Sequence, residues 1–358
     1  MMKKYFDIFL DIIIAAAALV CLISFPSCHN QEATGISHYD DFPQEITVKS
    51  ERIHLDSTYF RYPYRIKIKD SIVVIMDLHG VNYFFTAFTY PDWKSLGRFG
   101  KRGEGPEEML SAEAFRFHSL DSLYTLDTNR SRLTRWSLSL EKQTIYREET
   151  ILLDDKIITP LDFCLYNNLF LIPDYLGNCR FFEVDGRGAL AGQQGEILEK
   201  EDNNKAALAQ AWRSFTDYNK INGIYAMATQ LGEVIEIYDL NTGTHTTTCG
   251  PNGKPKFRVH KGNSIPIGIM GFGDIKVTDH YIYATFQGIS FQEKLRSVQN
   301  GENPEDGGRF LYVFDLQGNP IKKYILDRPV YGFEIDEQTN TILTLSIEED
   351  QPVAKFKM

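Results

Sequence analysis

The sequence predicts an all-β protein: a six-bladed β-propeller with four-stranded blades, its ring closed by an N-terminal strand. Three observations predict it. A short pattern recurs six times at intervals of about fifty residues; each interval parses as four strand-like runs; and the last interval stops one strand short, while a strand-like stretch precedes the first.

The recurring pattern is an Asp or Asn, any residue, then three mostly apolar residues. Its copies start at Asp70, Asp121, Asn167, Asn222, Asp279 and Asn340, spaced by 51, 46, 55, 57 and 61 residues. This period suits propeller blades rather than a helical solenoid. In each unit an apolar first strand runs into the Asp/Asn turn, because that residue tolerates left-handed backbone and bonds its own main chain. A second strand leaves the turn, and a third and fourth follow. The clearest third-to-fourth turns are "VDGRG" (184–188), "DLNTG" (239–243) and "DLQGN" (315–319). Val, Ile, Tyr and Phe dominate the runs, as strands prefer. After "YGFEID", "TILTLS" and "PVAKFK" the chain ends. "EITVKSERI", Glu45 to Ile53, is the natural missing strand, and pairing it there removes two exposed sheet edges.

The N-terminus reads as an export signal. Lys3 and Lys4 precede a fourteen-residue apolar run, Ile12 to Phe25, which is short for a spanning helix of about 20 residues. Asp7 and Asp11 dilute the pattern. The run ends in "SFPSC", which resembles the lipobox of bacterial lipoproteins and implies lipidation of Cys28; Phe25 and Pro26 depart from the usual residues. His29, rather than an Asp, after the cysteine favours sorting to the outer membrane. The expected organisation is a signal peptide over 1–27, a polar tether over 28–44 and the propeller over 45–358.

Composition agrees. The chain has 358 residues, 43% hydrophobic and 13% aromatic, enough to bury a core. A net charge of −10 lacks the basic balance of nucleic-acid binders. "YFRYPYRIKIK", Tyr59 to Lys69, interleaves aromatics with bases, but export argues against a nucleic-acid partner. A strand alternating core and channel residues explains it better, with Tyr64 facing the channel. The "FRF" around Arg116 has the same look in the second blade.

"LGRFGKRGEGPEEM", Leu96 to Met109, poses the main question of chemistry. A Walker loop needs Lys followed by Ser or Thr; here Arg102 follows Lys101, and Ser95 stands where the first Gly belongs. Glu107 and Glu108 would compete with any bound phosphate. The stretch is therefore expected to connect the fourth strand of the first blade to the second blade. In a four-stranded meander, second-to-third and fourth-to-first connections leave on one face. That face collects this connector, a helical insertion in "QQGEILEKEDNNKAALAQAW", "GPNGKPKFRVHKGNSIPIGIM" and the oversized loop "ISFQEKLRSVQNGENPEDGG". Long loops on a rigid scaffold are where binding usually sits. Arg98, Lys101, Arg102, Trp212, Arg213 and Phe291 are the candidate residues there.

Other signals carry little. The eight histidines show no metal-ligand spacing. His245 and Cys249 share a strand face without further ligands. Cys164 and Cys179 fall on the first and third strands of one blade, about 10 Å apart, beyond disulfide reach. "GISFQ" around Ser290 lacks the nucleophile-elbow context, and "DTN" at Asp127 fits a turn. No catalytic residue, metal or cofactor is assigned.

"GRFGKRGEGPEEM", "GEVIEIYDLNTG", "IKVTDHYIYATFQG" and "GRFLYVFDLQGNPIKKYILDRPVYGFEID" resemble the TolB-like six-bladed propellers common among exported bacterial lipoproteins. The resemblance covers nearly the whole mature chain and implies fold more than activity. The expected function is a lipid-anchored envelope binding module, a monomeric domain whose long-loop face, or channel mouth, holds a glycan, peptide or partner protein. The alternative is a propeller hydrolase or lyase with residues at the channel mouth.

Overall fold

A computed structural model describes residues 33–55, 58–199, 204–347 and 349–358. The signal peptide and Cys28 lie outside these residues. From Thr34 to Met358 the chain is one compact unit. No helix among the described residues is long and apolar enough to cross a membrane.

Six blades follow one another along the chain, each built on an antiparallel meander, with a separate two-stranded hairpin, Phe257–His260 and Asn263–Pro266, between the fourth and fifth. Blade one holds Pro63–Lys69, Ile72–Asp77, Tyr83–Thr89 and Ser95–Lys101. Blade two holds Ala114–Ser119, Ser122–Asp127, Arg132–Ser139 and Thr144–Leu152; blade three holds Cys164–Tyr166, Leu169–Pro173, Phe181–Asp185 and Leu190–Gln194. Blade four holds Ser214–Asn219, Ile224–Thr229, Val234–Asp239 and Thr244–Cys249; blade five holds Phe272–Val277, Tyr281–Phe286, Gly308–Asp315 and Pro320–Val330. Blade six supplies only Phe333–Asp336, Thr341–Leu345 and Val353–Lys357. The first strand of each lines the central channel.

Six buried clusters among the described residues sit one at each blade boundary. Alternation assigns each strand to two of them. In "IVVIM", Ile72, Val74 and Met76 pack toward blade two, and Val73 and Ile75 toward blade six. Both faces of a blade are covered, so its second strand is apolar throughout. The recurring turn also behaves as expected in part. Asp70, Asn167 and Asn340 adopt positive φ of 49°, 52° and 51°; in blade four the left-handed residue is Gly223, one position after Asn222.

Ring closure differs in detail from the expectation. Only Glu51–Arg52 completes blade six, pairing antiparallel with Ala354 and Lys355. Glu45–Val48 instead adds a fifth strand to blade five, parallel to Pro320–Val330. Ala33–His38, inside the stretch expected to be a tether, forms a fifth strand on blade four. Ser37 anchors it through its hydroxyl, 2.9 Å from Thr248 Oγ1 and 3.2 Å from the Thr247 carbonyl. The N-terminal segment thus spreads over three outer edges, leaving fewer unpaired strand edges than one pairing would.

Candidate functional site: the central channel and its mouths

Glu108 decides how the glycine-rich stretch is used. Ser95–Lys101 is itself the fourth strand of blade one, so the connector proper begins at Arg102 rather than at Leu96. Glu108 folds back into the loop: its Oε2 accepts from Gly105 N at 3.0 Å, and its Oε1 lies 2.6 Å from Lys101 Nζ. A side chain on Gly103, at φ 158°, would run into this carboxylate. The chain's own acid therefore occupies the place an external phosphate would take. Arg132 holds the loop from beneath, donating to the carbonyls of Pro106 and Glu108.

The candidates on the long-loop face do not form one patch. Arg98 and Lys101 are exposed on the outer strand of blade one, lining a groove shared with Tyr146 and Arg147 of blade two. Arg102 donates to the Gly80 carbonyl at 3.2 Å and lies 5.5 Å above the Phe84 ring. Trp212 is a correction: it is fully buried beneath the helix Lys205–Ala211, so it cannot meet a ligand on the surface. Arg213 stacks on Tyr175 at 5.3 Å, near the long-loop end of the channel. Phe291 opens the helix Phe291–Gln299, whose N-cap is Ser290; that hydroxyl accepts from Glu293 N, so "SFQE" is a capping box rather than a nucleophile. "DTN" is structural too: Asp127 accepts from Leu110 N and Ser111 N and fixes the connector. Cys164, Cys179 and Cys249 are buried free thiols, and burial pushes Cys164 up to about 12.

Tyr64 stands at the long-loop end of the first inner strand. Its ring is 5.1 Å from that of Tyr331, and Tyr62 lies 6.1 Å away. Arg65 reaches across this aromatic group, 5.0 Å from the Tyr64 ring and 4.4 Å from Phe215.

Below the rings runs a belt of charge that the sequence pattern could have revealed. Arg65, Arg116, Asp162, Asp217 and Asp274 each lie five residues before the turn residue of their blade, and Glu334 lies six before. The repeat places them at one level of the channel. Arg65 pairs with Asp274. Arg116 donates through Nη2 to Asp162 Oδ1 at 2.8 Å and to the Thr216 carbonyl at 2.7 Å, with Asp217 4.0 Å away. Glu334 pairs with Lys276 at 2.9 Å. The acids also knit the inner strands together. Asp162 accepts from Thr216 N in the next blade at 3.1 Å, and Asp217 from Val277 N at 2.9 Å. These bonds satisfy main-chain groups on the channel edge of blades four and five. Burial pushes the Asp274 carboxyl up, but Arg65, then Lys67 and Arg116, more than reverse this and hold it below the usual carboxylate range.

The far mouth, on the face of the tight first-to-second turns, holds a recess of about 380 Å³, lined by Lys67, Lys69, Arg116, Tyr218, Lys220 and Glu337, among others. A contiguous recess of about 300 Å³ adds His118 and Cys164. Lys67 stands out: it is 5% exposed, and its Nζ has no hydrogen-bond partner. Among the described residues, no group of three His, Cys, Asp or Glu could hold a metal.

Fold and channel together define a six-bladed β-propeller. The TolB-like 6-blade propeller-like family model matches residues 41–338, and the chain belongs to that family. Two solved structures share the fold. One is a protein of Bacteroides fragilis NCTC 9343 inferred to be exported, at 12% identity and TM-score 0.54, covering 87% of this chain and 99% of that one. The other is a member of the DUF4221 family from Bacteroides vulgatus ATCC 8482, at 9% identity and TM-score 0.53, covering 87% of this chain and 97% of that one. No curated protein matches the sequence.

Proposed function

We propose that the protein is an exported binding module of the cell envelope, held by a lipid on Cys28, which takes a small ligand in the channel mouth on the tight-turn face. The carrying observation is the recess of about 380 Å³ there. Its volume lies within the range of small-molecule sites, and its wall is a rigid ring of inner strands. The export reading is supported by the signal-like N-terminus and by the structural neighbour of the same fold that is itself inferred to be exported. Binding, rather than turnover, is favoured because the charged groups lining the waist are committed to one another and to main-chain groups.

A second reading places a protein partner on the long-loop face. Leu295 and Val298 on the helix Phe291–Gln299 are 48% and 56% exposed, which suits a docking surface. A thermal-shift screen separates the two. The panel holds neutral sugars, sugar acids, short peptides and inorganic phosphate, tested on the wild type and on Tyr218→Ala. A small ligand at a hundred times its Kd stabilises by about 2.7 kcal/mol, a shift of about four degrees in a protein of this size. A shift lost in Tyr218→Ala supports the mouth. A shift that survives Tyr218→Ala, or capture of a protein partner abolished by Leu295→Glu, moves the site to the other face.

A further inference from the structure

Resting on the tight-turn mouth as the binding site, we propose that the ligand is a small organic acid whose carboxylate is held by Lys67. The evidence is the distribution of charge in the recess. Arg116 and Lys276 line it but are already paired, with Asp162 and Glu334. Asp217 is paired in turn by Val277 N and, more distantly, Arg116. Asp279 Oδ1 accepts from Asn219 Nδ2 at 2.9 Å. Of the acids, that leaves Glu337, exposed at the rim. Of the bases it leaves Lys67, Lys69 and Lys220.

Lys67 differs from the two rim lysines in depth. Its ammonium is removed from water, makes no hydrogen bond, and lies in the wall of an open recess. Lys67 attracts Asp274 without bonding it, because the Asp274 oxygens already accept from Arg65, Ile275 N and Phe333 N; a buried ammonium with no bonded partner is costly, whereas the belt charges are bonded to theirs. A ligand carboxylate would supply that partner and accept from the ammonium. A neutral hydroxyl would satisfy a hydrogen bond but bring no counter-charge into contact with the ammonium. Lys69 and Lys220 at the rim raise the local concentration of anions. Tyr218, half-buried on the inner strand of blade four, offers a ring face to the body of the acid. The volume admits a molecule the size of a uronic acid or an acylated amino acid, and the carboxylate is common to both.

Titration calorimetry with acetate, glucuronate, N-acetylglycine, inorganic phosphate and glucose tests this, on the wild type, Lys67→Met and Lys67→Arg. The expected result is binding of at least one of the carboxylates, weaker or absent binding of glucose, and a loss of about tenfold or more in Lys67→Met, equivalent to at least 1.4 kcal/mol. Lys67→Arg, which keeps the charge, retains measurable binding. Glucuronate alone marks a sugar acid; N-acetylglycine alone marks a peptide-like acid. Glucose binding as tightly as glucuronate, with no change in Lys67→Met, overturns the assignment of an acid. If that glucose binding is lost in Tyr218→Ala, the mouth survives as the site. Phosphate binding in place of every carboxylate also overturns it. So does the absence of carboxylate binding up to millimolar concentration in the folded wild type.

Discussion

Arg116 and Lys67 line the same channel on adjacent inner strands, both nearly buried, and they are treated in opposite ways. Arg116 is committed to its neighbours: Nη1 donates to the Phe115 carbonyl and Nη2 to Asp162 and the Thr216 carbonyl, with the Phe163 ring 5.9 Å away, while Nε makes no hydrogen bond and lies 4.0 Å from Asp217. Lys67 faces the recess with no bonded partner. The difference teaches how to separate scaffold from site in a propeller. A charge that bridges blades two, three and four belongs to the fold. A charge buried at a cost and left open belongs to something that binds.

The largest expected effect comes from breaking the committed side. Arg116→Met leaves Asp162 and Asp217 buried without their cation and should cost about 3–5 kcal/mol in denaturant unfolding. Arg180→Met, between blades three and four, should cost a similar amount. Arg180 is fully buried, with Glu236 Oε2 at 2.7 Å and the Trp212 carbonyl at 2.9 Å. A loss below about 1 kcal/mol in both would break the contrast with Lys67, because surface-like substitutions cost that little.

A middle effect is expected from acid. Asp274 is held below the usual carboxylate range in the folded protein, burial opposing and Arg65 prevailing. Its contribution is fully present above the unfolded carboxylate value of about 3.9 and is lost as pH falls through its lower folded value. Asp274→Asn should lower stability at neutral pH and flatten this acid limb in urea titrations. His245 acts at higher pH. Stacked on Tyr238 at 4.0 Å, it is pushed down by burial, so stability should fall as pH drops below the unfolded value of about 6.5. His245→Gln should remove that slope, read as Tm between neutral and mildly acidic pH.

The smallest effect is expected at the rim. Lys220 is exposed, so Lys220→Ala should change stability by less than about 0.5 kcal/mol while weakening acid binding in a salt-dependent way.

Much of this was legible in the sequence, for identifiable reasons. The Asp/Asn turns, the apolar runs such as "IVVIM" and the missing last strand are local signals, and local signals gave the six blades. Arg116 could be placed in the channel because an alternating strand leaves it nowhere else. Trp212 was misplaced because a helical insertion was read as exposed loop, whereas its far side packs on blade four. The division of Glu45–Ile53 between two blades was hidden because both pairings satisfy the same alternation. Asp162, Asp217, Asp274 and Glu334 recur in step with the turns but were missed, because ligand spacing is a signal within one segment and the belt is built one residue per blade. Which lysine has a partner is a three-dimensional fact, and no spacing carries it.

The most direct test of the account is the ligand-free stability of Lys67→Met against wild type, measured by denaturant unfolding at neutral pH. Replacing a buried ammonium that makes no hydrogen bond with an apolar chain of similar length should leave stability unchanged or raise it by about 1 kcal/mol, despite the lost attraction to Asp274. A loss of several kcal/mol would mean that Lys67 is one more strut of the ring, and the separation of site from scaffold at this mouth would fail.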